Sequence, residues 1–184
     1  MRIEKYLVQN NPTIDSEENR RVLTTKLHDV NMRIYKTNRS YRFVIETIID
    51  YMKYTLRLKF DNYPLGRGIS GANVGIPFNI VVIRKKVDNK LITRLKELLG
   101  KNYIVMINPK IVDKDRELVI RKSNCGSLLL KEPIAVERYK SICVAYYDIK
   151  SKSHKKYFNM PIAATIQHEI DHNNGILITD RKIN

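Results

Sequence analysis

Cysteine occurs only twice in 184 residues, glycine seven times and proline six. Two cysteines, Cys125 and Cys143, cannot build a disulfide framework, so a reducing, cytoplasmic setting is expected. With glycine and proline this sparse there is no linker-like tract, and no internal repeat is present. No window approaches the roughly 20 apolar residues that a membrane span needs. The opening stretch MRIEKYLVQNNPTID mixes charge and Asn where a signal peptide needs an apolar segment, so neither export nor membrane insertion is expected. Acidic residues are also scarce, 19 Asp and Glu against 34 Lys and Arg, for a formal charge of +15. A hydrophobic content of 43% still supplies a packed core and excludes a wholly disordered chain. One domain over residues 1–184 is the expectation at this length, with 1–38 as an N-terminal extension carrying a helix.

A charge of +15 points first to nucleic acid or the ribosome. Lysine, asparagine and isoleucine, which share A/T-rich codons, number 20, 16 and 24, so coding bias accounts for the charge equally well. The basic residues are dispersed, and neither zinc-finger spacing nor an aromatic RNA-binding stretch accompanies them. Sequence-specific nucleic-acid binding is not expected; proximity to the ribosome stays open.

Asp15 or Ser16 can cap a helix whose first turn carries Glu17 and Glu18. Val22, Leu23, Leu27, Val30 and Ile34 recur at helical spacing, which predicts one amphipathic helix over 16–36. A second is expected over about 40–58, with Phe43, Ile45, Ile48, Ile49, Met52 and Leu56 as its apolar face. Short β-branched runs follow at 79–84, 103–107, 117–121 and 141–147, with Asn108-Pro109 and the basic run 150–156 as turns. Residues 94–99 read as a helical turn or a loop insert. A last helix starts near Pro161 and stops at Gly175. Helices first, strands next and one late helix predict an α+β fold, with mostly antiparallel sheets packed around that late helix.

The late helix contains His168-Glu169-Ile170-Asp171-His172. Residues four apart share a helix face, so both imidazoles can reach one metal ion. Glu169 lies between them, placed to move a proton to and from water activated by the metal. A catalytic site takes three protein ligands and leaves one position open. The long metalloprotease pattern would put a third His at position 178, where this chain has Ile178, so a zinc endopeptidase is a weaker reading. The third ligand comes from upstream or from Asp180. Cys125, beside a Gly-containing turn, is favoured; Cys143, inside an apolar run, reads as a core residue.

Three stretches carry a resemblance. Gln167-His-Glu-Ile-Asp-His-Asn-Asn-Gly-Ile-Leu-Ile-Thr-Asp180, with a Cys upstream in a turn, resembles peptide deformylase. Gly66-Arg-Gly-Ile-Ser-Gly-Ala-Asn-Val-Gly-Ile-Pro77 is similar to that family's first motif, usually GxGLAAPQVGIP. Ile107-Asn-Pro-Lys-Ile111 and Val136-Glu-Arg138 resemble its INPxI and V-x-R stretches. The likeness runs in order from about residue 40 to 181. It implies removal of the N-formyl group from formyl-methionyl nascent peptides with release of formate. It also implies one divalent metal, Fe2+ first and Zn2+ or Ni2+ next, held by Cys125, His168 and His172. Glu169 is then the general acid and base, while the Asn73 amide and the Gly126 backbone N–H hold the oxyanion. Gly68, Ile69 and Arg138 are implied to contact substrate.

Two departures stand out. Asn73 replaces a Gln and is one methylene shorter, and Ser123-Asn124-Cys125-Gly126-Ser127 replaces EGCLS. Metal ligands are kept while substrate-side residues have changed. A deformylase-like hydrolase for another small amide or formyl compound, and a non-catalytic metal-binding, ribosome-associated protein, are the alternatives.

Overall fold

The computed structural model describes residues 17–62, 67–85, 102–128 and 130–183. The capping candidates Asp15 and Ser16 and the segment 94–99, expected as a helical turn or a loop insert, lie outside them. Helices α1 (Glu17–Thr24), α2 (Met32–Thr37) and α3 (Arg39–Asn62) come first. Strands β1 (Gly68–Ser70), β2 (Ile80–Arg84), β3 (Tyr103–Lys114), β4 (Leu118–Ser123), β5 (Ile134–Tyr139), β6 (Ser141–Tyr147) and β7 (Ser153–Asn159) follow. Helix α4 (Ile162–Asn173) closes the series, with single 3-10 turns at Ala72–Val74 and Ile178–Arg181.

The strands form an antiparallel five-stranded sheet in the order β1-β2-β3-β6-β7 and a separate β4-β5 pair. This is the expected α+β arrangement. All five residues of β2 are buried because the sheet is covered on both faces. Side chains alternate along a strand, so Ile80 and Val82 pack with Ile45, Ile49 and Met52 of α3. Val81 and Ile83 pack on the other side with Ala163, Ile166 and Ile170 of α4. A third cluster joins Leu23 of α1 to Ala72, Cys125 and Val136. The N-terminal helix thus packs against the loop that carries Cys125.

The expected helix over 16–36 is two helices with an extended segment between them. The backbone of that segment is bonded elsewhere. Leu27 N donates to Asn173 O, His28 N to Pro77 O, and Asn79 N to His28 O. Asn108 Oδ1 accepts from Val30 N at 2.7 Å while its Nδ2 donates to Val30 O at 2.9 Å. Asn31 then caps α2 through Arg33 N and Ile34 N. Periodicity alone cannot register such distant bonds. Phe43 also departs from expectation at 69% exposed, because it lies two residues before Ile45 and off the face that α3 buries.

Asn108-Pro109, expected as a turn, lies inside β3, where a register shift absorbs it. Asn108 takes φ of 55°, a left-handed conformation that Asn tolerates better than most residues. The basic run at 150–156 is turn only at its start; its second half is β7, paired along its length with β6. Replacing Asn108 by Ala removes both bonds to Val30 and leaves Ala at positive φ. Unfolding in urea should show a loss of about 3 kcal/mol. A loss below about 0.5 kcal/mol would mean that Asn108 does not hold the 25–31 segment.

Candidate metal centre

Helix α4 presents two faces with different tasks. Ala163, Ile166 and Ile170, spaced by three and four, are buried against the sheet. His168 and His172 share another face, with ring centroids 4.6 Å apart and planes at 77°. Pro161 stands at the N-terminal boundary, and Gly175, at φ 74°, ends the helix region where expected. A Cβ on Gly175 would fall 2.2 Å from the carbonyl oxygen of Thr24, so only glycine lets α1 approach this closely.

Cys125 lies two residues past β4, with its backbone N–H donating to Asn124 Oδ1 at 2.8 Å. Its Sγ is 3.2 Å from His172 Nε2. Ligand atoms of Cys125, His168 and His172 all lie within 4.8 Å of one another. Tetrahedral bonds of about 2.0–2.3 Å would set such atoms roughly 3.4–3.6 Å apart, inside that range. One thiolate and two imidazoles suit a borderline-soft divalent ion. Burial, then His172 and Arg138, hold the His168 pKa well below its usual value. Its imidazole is therefore neutral and able to ligate. The residues fit a metal.

Glu169 is 4% exposed and lies against β1. A Cβ on Gly68 would sit 2.7 Å from both Glu169 Cγ and Oε1, so the glycine makes room for the carboxylate. Asn73 is buried in the 3-10 turn after β1, and its Nδ2 donates to Ser127 Oγ at 2.8 Å. The structure therefore ties the amide of the first motif to the Cys125 loop. Gly126 is exposed at that loop, with open space where a side chain would project.

Other expectations are altered. Arg138, expected to contact substrate, is 5% exposed and its NH1 donates to Asp171 Oδ2 at 2.5 Å. Its guanidinium is committed to the helix instead. The Ile69 side chain is buried in the core beside α3, and its backbone lies opposite Val82 in the ladder between β1 and β2. Asp180, a candidate ligand, accepts from Leu177 N at 2.8 Å and closes a turn. Cys143 is a core residue, as expected.

Several residues escaped sequence reasoning. Arg181 joins Arg138 on Asp171, through NH2 at 2.9 Å. Gln167 pairs with the backbone of Tyr139 in both directions, fixing α4 to the end of β5. Asn173 Nδ2 donates to Asn79 Oδ1 and Ile80 O, fixing the other end to β2. The available signal was polar side chains at helix positions that the apolar stripe would bury.

The polypeptide deformylase family model matches residues 10–184. The chain belongs to that family. It is 36% identical to the peptide deformylase of Rickettsia prowazekii over 115 residues, 62% of this chain and 63% of that protein. The match thus spans less than two thirds of that relative's length. A second deformylase, from Chloroflexus aurantiacus, is 26% identical over 171 residues, 91% of this chain and 84% of its own. Among solved structures, a probable peptide deformylase from synechococcus phage S-SSM7 superposes with a TM-score of 0.72 at 25% identity. That superposition covers 94% of this chain and 98% of the phage chain. The Thermotoga maritima deformylase shares the fold, with a TM-score of 0.68, 24% identity and coverage of 89% and 92%. The family match starts at residue 10, so α1 lies within the deformylase match rather than ahead of it. Among the described residues no helix is long and apolar enough to cross a membrane.

Protein incubated with a divalent metal and desalted should carry one ion per chain by elemental analysis. Cys125→Ala and His172→Ala should each lower the metal affinity at least about tenfold. Full loading of both variants would remove these residues from the centre.

Proposed function

We propose that the chain is a metal-dependent hydrolase that removes the formyl group from formyl-methionyl peptides and releases formate. The observation that carries this reading is the convergence of Cys125, His168 and His172 with a buried Glu169 on the same helix, in a chain of the deformylase family. Fe2+ is the first candidate for the metal and Zn2+ or Ni2+ the next, held by those three ligands. When bound, such an ion supplies Lewis acidity and a nucleophile at neutral pH.

The chain's own residues do the rest. Glu169 accepts a proton from the attacking water and delivers it to the departing amine nitrogen, so formate and a free N-terminus result. The Asn73 amide and the Gly126 N–H face the developing oxyanion, where a pre-placed donor is worth roughly 2.7–4 kcal/mol. Strand β1 lies at the edge of its sheet, and the outward backbone of Gly68, beside Ile69, suits an extended peptide. A role on nascent chains would put the protein in the cytoplasm and near the ribosome, a setting compatible with its +15 charge.

One observation favours a shifted substrate range. Gly126 leaves open space where EGCLS has a leucine, which removes a side chain that would narrow the pocket at this point. Substituting Gly126→Leu should leave folding intact and narrow the range of formyl compounds accepted, as a substrate panel would register.

Glu169→Gln is the direct test. Formate release from a formyl-Met-Ala-Ser peptide should fall by about 10²–10⁴ while metal content is unchanged. Undiminished turnover by the metal-loaded variant would contradict the role of Glu169.

A further inference from the structure

Ser70 has no part in the chemistry above, yet it is completely buried at the end of β1. Its hydroxyl lies 2.6 Å from Asn73 Oδ1, and its backbone N–H donates to the same oxygen at 2.8 Å. Asn73 N sits 3.4 Å from Ser70 Oγ, closing a small ring. A carboxamide oxygen accepts two hydrogen bonds, so Oδ1 is saturated by Ser70. That fixes which end of the amide is oxygen and turns Nδ2 toward Ser127 Oγ, 2.8 Å away and itself buried. An NH₂ group has two hydrogens and Ser127 takes one, so the direction of the second is set as well.

We propose that Ser70, together with Ser127, is a positioning residue that orients the Asn73 amide toward the reacting carbonyl. The inference rests on the reading of Asn73 as an oxyanion donor. Its physical basis is the short arm of Asn. That arm brings Oδ1 back against β1, where an alanine at position 70 would leave one lone pair buried without a partner. The first motif has Ala at this place and Gln at that of Asn73, so the hydroxyl and the shorter amide form one unit. The same network joins β1, whose Gly68 abuts Glu169, to the loop of Cys125.

Four metal-loaded proteins test this: the wild type, Ser70→Ala, Asn73→Gln and the double variant. Ser70→Ala should lower kcat about 10- to 100-fold on a formyl-Met-Ala-Ser peptide, with KM and metal content unchanged. Asn73→Gln should also be slow, because the longer amide meets the Ser70 hydroxyl. The double variant should recover at least about tenfold over either single change. A Ser70→Ala kcat within twofold of wild type, or losses that simply multiply in the double variant, would overturn the proposal.

A second readout does not depend on turnover. The Asn73 side-chain amide resonances of the wild type should exchange slowly with water, and faster after Ser70→Ala. Rapid exchange in the wild type would also overturn the proposal. If the wild type releases no formate while its amide is protected, the functional reading fails and the orientation of Asn73 by Ser70 stands.

Discussion

The arrangement of the candidate centre rests on a buried ion pair that joins a helix to a strand. Cys125 hangs from the β4-β5 pair, whereas both histidines ride on α4. Arg138 of β5 and Asp171 of α4 hold these pieces in register, 2.5 Å apart and nearly sealed from water. A buried pair of this kind contributes little net stability, because removing both charges from water offsets the attraction. Its value is in location. Losing Asp171 would strand the buried Arg138 charge, so the helix and the hairpin have one favourable relative position. Gln167 on Tyr139 and Arg181 on Asp171 reinforce it from two more directions.

Around that joint the fold follows simple rules of alternation. A sheet covered on both faces forces β2 to be apolar throughout, and its two faces recruit different helices. Helix α4 must then bury one stripe in the sheet while its other side carries His168, Glu169 and His172. Gly68 and Gly175 sit where backbone or carboxylate approaches too closely for a Cβ. Small residues thus set the distances, and charged ones set the register.

The sequence made the late helix, the long helix α3 and the strands at 79–84 and 141–147 legible, because each follows a local period. The metal ligands on α4 were legible for the same reason, being four residues apart. Cys125 needed a turn signal and a resemblance to be preferred. What stayed hidden was non-local. Residues 25–31 leave the helical path because Val30 is bonded to Asn108, 78 residues away. Strand β5 hides behind Glu137 and Arg138, the latter buried only because Asp171 meets it. Strand β7 looks like a basic turn because five of its seven residues face solvent. The Ser70 hydroxyl could not be assigned a partner until Asn73 was placed beside it.

Among the chain's departures from the deformylase motifs, none replaces Cys125, His168, His172 or Glu169, the residues proposed for the metal and the proton transfer. They include Ser70 and Asn73 in the first motif and Ser123, Asn124 and Gly126 around the cysteine, on the side proposed for substrate and oxyanion. The most direct measurement is the ratio of formate to free amine produced by metal-loaded wild-type protein from a formyl-methionyl peptide, with the acetyl-methionyl peptide as control. A one-to-one ratio, with no hydrolysis of the acetyl peptide, is the expected result. Fully metal-loaded protein that yields neither product would contradict the assignment.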